Sequence, residues 1–137
     1  MAIFLHSEVP NFSFEKKKII KDWLREVILS EESLVGDLNF IVVSDEELLR
    51  INQKFLKHDY YTDVITFNYN VKALISGDVY MSYERIVENA QNFSIPVILE
   101  LNRVMVHGLL HLLGYKDETR DQKEEIRSKE NQYLAFL

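Results

Sequence analysis

The chain has 137 residues, 47% of them apolar and 28% charged, with a formal net charge of −6 and no cysteine. That length allows a single domain over residues 1–137 with a substantial core, and the missing cysteines exclude a disulfide framework or a thiolate metal site. The acidic balance argues against broad, charge-driven binding of nucleic acid and leaves room only for a local basic cleft.

Met1 to His6 is too short an apolar run for a secretory leader, and no stretch approaches the ~20 apolar residues of a membrane span. The chain therefore reads as cytoplasmic, with no membrane partner. Ala2 to His6 is expected to form a first strand. Phe14 to Leu29 reads as an amphipathic helix, with Ile19, Ile20, Trp23, Leu24, Val27 and Ile28 inward. Asp37 to Val43 is a strand of β-branched character. Ser44 then caps a helix from Asp45 to about Phe55, with Glu47 completing a capping box and Leu48, Leu49 and Ile51 buried. The polar and aromatic run Lys54 to Tyr61 is a loop, followed by strands at Asp63 to Phe67 and Gly77 to Met81. The short link between these two strands predicts an antiparallel pair. Tyr83 to Phe93 is a third helix, Pro96 starts a fourth, and Glu118 to Ala135 forms a charged fifth with a stripe of Ile126, Tyr133 and Phe136. The expected fold class is α+β: a small mixed sheet of about four strands packed with about five helices.

The helix after Pro96 carries His107 and His111. Four residues apart, they stand on one side of a helix, about 6 Å apart along its axis, and both imidazoles reach one ion. Gly114 stops the helix in the left-handed region, with Tyr115 placed over Leu110, and the returning chain brings Asp117 toward the same point. Glu100, Arg103, His107 and His111 form one narrow polar ribbon. Val97, Ile98, Leu101, Val104, Met105, Leu109 and Leu112 fill one flank; Leu99, Val106, Leu110 and Leu113 fill the other. Three ligands with a position left for water is the pattern of catalytic zinc. The alternative is a pair of core or cleft histidines, each bonded to nearby backbone.

Further stretches complete a recognisable set: Leu49-Arg50-Ile51-Asn52-Gln53-Lys54-Phe55, Thr62-Asp63-Val64-Ile65-Thr66-Phe67, Ser76-Gly77-Asp78-Val79, Glu100, and the block from His107 to Tyr115. In this order they resemble the YbeY family, the single-strand-specific metallo-endoribonucleases of ribosomal RNA maturation. The resemblance runs from about Leu38 to Glu130. It implies a zinc-hydrolase-like α+β fold and a zinc cofactor, and as partners single-stranded RNA, ribosomal RNA and the small ribosomal subunit. The implied role is ribosome biogenesis, through processing of the 3′ end of 16S ribosomal RNA; DNA is not an expected substrate.

Two positions depart from the family pattern. Where the family carries a histidine of an Asp-His pair after Gly-Tyr, this chain has Lys116-Asp117, so the ligand set becomes His107, His111 and Asp117. His58 is the alternative long-range ligand. Where the family has an arginine after the aromatic of the Asn-x-x-aromatic segment, this chain has Leu56 and then Lys57. Lys57 and Arg103 are accordingly the candidate substrate-binding residues, with a pairing of Arg103 to Glu100 as the competing expectation. Glu100 itself is expected to support the site without acting as a base. Two imidazoles and a carboxylate leave a zinc site at about +1, which acidifies bound water less. Activity should then still rise with pH into the mildly alkaline range, and an oxygen ligand widens metal choice toward manganese.

The catalytic group in this reading is a metal-bound water, and the reaction is cleavage of a phosphodiester in single-stranded RNA. Two rivals stand beside it. A zinc metallopeptidase shares the histidine spacing but needs a glutamate where Gly108 stands. A ribosome-associated binding factor would use the metal only structurally.

Overall fold

Leu38, Phe40 and Val42 alternate with outward-facing neighbours and are fully buried, as are Val79 and Met81 opposite them. This pairing of two apolar strands makes the middle of the sheet. The computed structural model describes residues 1–57 and 62–137. In chain order the elements are β1 (Ile3–Ser7), α1 (Lys17–Ser30), β2 (Leu34–Val43), α2 (Asp45–Leu56), β3 (Val64–Asn68), β4 (Leu74–Ser82), α3 (Tyr83–Asn92), α4 (Val97–Leu112) and α5 (Arg120–Leu134). The class is α+β, with a four-stranded mixed sheet and five helices, as expected. The sheet order is β1-β2-β4-β3: β1, β2 and β4 are parallel, and β3 pairs antiparallel with β4 at the edge. Among the described residues no single helix is long and apolar enough to cross a membrane.

The two faces of the sheet are covered unequally. One face joins Leu38, Phe40, Val79 and Met81 to Leu24 and Val27 of α1 and to Met105 and Leu109 of α4 in the main core. The other face holds a small cluster of Val43, Leu48, Ile51 and Ile65 beneath α2. Ser44 caps α2 through Glu47 N–H at 3.1 Å, as its sequence predicts, but the Glu47 carboxylate accepts from Arg50 and does not complete the expected capping box.

Several expectations need correction. The first helix begins at Lys17, because Lys16 takes a left-handed conformation (φ 52°) and the chain before it turns Phe14 into the core as a loop residue. Ile19, expected inward, is 56% exposed. β2 starts three residues before Asp37, and a register shift between Val35 and Leu38 lets it continue pairing with β4. The last helix starts at Arg120, after a capping box in which Thr119 accepts from Gln122 N–H and the Gln122 side chain accepts from Thr119 N–H. On α4 the two apolar flanks hold from Leu101 onward, whereas Ile98 and Leu99 at its open first turn are 46% and 49% exposed. Phe136, placed on the buried stripe of the last helix, is exposed at the chain end.

Candidate metal centre and substrate cleft

α4 lies across β3 and β4 with Gly108 against the sheet, where an added Cβ would stand 2.6 Å from Val79 Cγ1. With Gly108 on the sheet, the histidine ribbon about a quarter-turn round the helix is left free of it, and His107 lines a cleft beside α5. The helix ends in a Schellman motif, with Tyr115 N–H bonded to Leu110 O and Gly114 N–H to His111 O, both at 3.0 Å. Gly114 has φ +106°, a conformation that disfavours any side chain. The reversal brings Asp117 back over the histidines.

His107 Nε2 and His111 Nε2 are 3.0 Å apart, and Asp117 Oδ2 is 3.4 Å from each. Ligand atoms ~2.0–2.1 Å from a tetrahedral zinc stand about 3.3 Å from one another, so these separations fit a small divalent ion. The opposite ring nitrogens fix the tautomers. His111 Nδ1 donates to Tyr115 O at 3.1 Å, and His107 Nδ1 donates to Glu130 Oε2 at 2.6 Å. Both Nε2 lone pairs are thereby left for the shared point, which a carboxylate also faces. Such a donor set calls for a cation. His107, His111 and Asp117 form a group that could hold a metal ion.

Glu130 organises the far side of this group. Its Oε1 accepts from Arg103 Nη1 at 3.0 Å while its Oε2 holds His107. Burial works against an ionised Glu130, but the hydrogen bonds from His107 and Arg103 outweigh it and hold the carboxyl below its usual range. Burial likewise works against a charged His107, and the bond to Glu130 with the nearby Asp117 charge overcomes it and raises the imidazole. Glu130 had no assigned role from the sequence. Its signal was its place on the stripe of α5 between Ile126 and Tyr133, where a charged side chain is buried only when paired.

The expected pairing of Arg103 with Glu100 does not form: Arg103 bonds Glu130 and, through Nη2, Asn131 Oδ1 at 3.2 Å. Glu100 does not reach the histidines and instead accepts from Asn89 Nδ2 at 3.4 Å. Arg103 lines a cleft of about 770 Å³ that runs from His107 and Asp117 along α5, past Arg120, Lys123 and Arg127. The wall mixes signs: Arg103, Arg120, Lys123 and Arg127 stand among Glu124 and Glu130, and Asp63, Glu100 and Asp117 line the same cleft. Lys57 ends α2 in a left-handed conformation (φ 56°) and is not among the cleft-lining residues. His6 is exposed on β1, and His58 lies outside the described residues.

Known proteins resemble this chain over nearly its whole length. A protein of Cytophaga hutchinsonii named Endoribonuclease YbeY is 45% identical over 136 residues, covering 98% of this chain and 95% of its own. One of the same name from Flavobacterium johnsoniae is 44% identical over 126 residues, covering 92% of this chain and 91% of its own. The solution structure of a Thermotoga maritima protein superposes with a TM-score of 0.69 at 30% identity, covering 97% of this chain and 87% of that one. A family model described as Endoribonuclease YbeY matches residues 4–137, and the chain belongs to that family.

Proposed function

We propose that this chain is a zinc-dependent endoribonuclease that cleaves single-stranded RNA, with His107, His111 and Asp117 as the metal ligands. The observation that carries the reading is the convergence of two imidazole Nε2 atoms and one carboxylate oxygen at the head of a cleft that also presents Arg103, Arg120, Lys123 and Arg127. Family membership supplies the class of reaction. A bound divalent ion supplies Lewis-acid polarisation of a phosphodiester oxygen and an acidified water; manganese is the alternative ion.

The chain's own residues do the rest. Glu130 keeps the His107 proton on Nδ1, so that Nε2 presents a lone pair. The Tyr115 carbonyl does the same for His111. Arg103, tethered by Glu130 and Asn131, offers its cleft-facing edge to a phosphate oxygen. Arg120, Lys123 and Arg127 lie further along the same wall, where a single strand's backbone would pass. Lys57, on a separate element, is a second phosphate contact proposed from its place in the sequence. The family resemblance further supports ribosomal RNA processing with the small ribosomal subunit, in the cytoplasm, by a single domain.

The metallopeptidase reading loses its general base. The residue after His107 packs on Val79, Val64 and Thr66, and a glutamate there would be driven into the sheet. Incubating one preparation with unstructured RNA and with unfolded protein decides between the two. RNA should be cut and protein left intact, with cutting abolished by a chelator and by His111→Ala. Cleavage of the protein, or RNA cleavage indifferent to both treatments, would overturn the reading.

A further inference from the structure

The cleft contains a group that neither the metal nor the phosphate contacts use. Glu100 is only 3% exposed, yet it lines the cleft. Its Oε2 has the long bond from Asn89, and among the described residues its Oε1 has no hydrogen-bond partner. Burial, the largest influence on this carboxyl, lifts its pKa above the usual glutamate range. A buried carboxylate oxygen without a donor is costly, and a ligand that brings a donor relieves the cost. On the rim of the same cleft Phe93, at the end of α3, is 59% exposed. A large apolar ring at a polar cleft mouth offers a stacking face.

We propose that this part of the cleft holds a nucleobase of the substrate strand, stacked on Phe93 and hydrogen-bonded along its edge by Glu100 and Asn89. The chemistry selects guanine. Its Watson–Crick edge offers two adjacent N–H donors followed by a carbonyl. A carboxylate beside an amide donor complements that order, and Asn89 Nδ2 has a second N–H to give. Uracil offers a single N–H between two carbonyls, so a carboxylate would face an oxygen. The edge read here is hidden in a duplex, so the same contact selects unpaired RNA. The proposal rests on the reading of the cleft as an RNA site and adds a base preference to it.

Mononucleotides test it without any cleavage. Titrating the full chain with guanosine 5′-monophosphate and with uridine 5′-monophosphate, by calorimetry or NMR shifts, should show about tenfold tighter binding of the guanosine form. Glu100→Gln should bring the ratio close to one while leaving the bound metal unchanged. Phe93→Ala should weaken both nucleotides alike. Equal binding by the wild type, or a ratio that survives Glu100→Gln, overturns the proposal. If Glu100→Gln fails to fold by thermal melting, Asn89→Ala serves instead: a reduced ratio supports the proposal and an unchanged ratio overturns it. A chain that cuts RNA without preferring guanosine overturns only the base pocket. One that prefers guanosine but never cuts RNA keeps the pocket and removes the endoribonuclease reading.

Discussion

Glu130 does not stand at the converging atoms, yet it sets how two of the surrounding side chains point. Its two oxygens divide between His107 and Arg103, so its loss would free the imidazole to rotate or change tautomer and release the guanidinium. Glu130→Ala is therefore expected to weaken metal affinity by about 10–100-fold, read by competition with a chelating dye. Asp117 decides the charge of the group. Asp117→His removes a negative charge and should shift the rise of RNA cleavage to lower pH, seen as a displaced pH–rate profile. An unmoved profile would mean that Asp117 does not set that step. The two histidines and Asp117 were legible in the sequence because helical spacing and a glycine stop operate within ten or so residues. The partner of Arg103 was not. Glu100 and Glu130 are both acidic, and only the packing of α5 on α4 decides between a neighbour on the same helix and one on another.

At the level of elements, α4 is the part on which the site depends, and two glycines define it. Gly108 lets the helix sit against β3 and β4, with no room for a methyl group beside Val79. Gly108→Ala should gain about 1 kcal/mol of helix propensity and lose about 1–3 kcal/mol to overpacking. A net loss of stability in urea titration is the expected result. Gly114 is different: space is open around it, and its positive φ alone makes a side chain costly. Gly114→Ala should destabilise by about 1–2 kcal/mol and loosen the turn that carries Asp117, lowering metal affinity together with stability. The kinds and order of elements followed from periodicity and capping residues. The strand order did not, because alternation shows which face of a strand is buried and not which edges pair. The early start of β2 was hidden for a related reason: a register shift breaks the alternation near Gly36.

Across the whole molecule, Glu31 ties three distant segments together at the end of α1. It accepts from Tyr115 Oη at 2.6 Å and from Tyr133 Oη, and pairs with Lys129 Nζ at 3.3 Å. Burial alone would raise its carboxyl, but the hydrogen bonds from Tyr115, Tyr133 and Lys129 together lower it. A carboxylate lowered in the folded state stabilises the fold above the ordinary glutamate range, and that contribution drains away as pH falls through its folded value. Glu31→Gln should thus melt lower than the wild type near neutral pH, with the gap closing on acidification; thermal melts from about pH 7 to about pH 3 read this directly. A gap that widens toward acid would contradict it. The same junction holds the Tyr115 turn, and so Asp117, to α5 and Glu130. We propose one ion between His107, His111 and Asp117, without which RNA is not cut. The most direct test is the metal content of the purified chain beside that of His111→Ala, with folding checked by circular dichroism. One divalent ion per wild-type chain and none in the folded variant are expected; a folded variant that keeps its ion would overturn this assignment of the ligands.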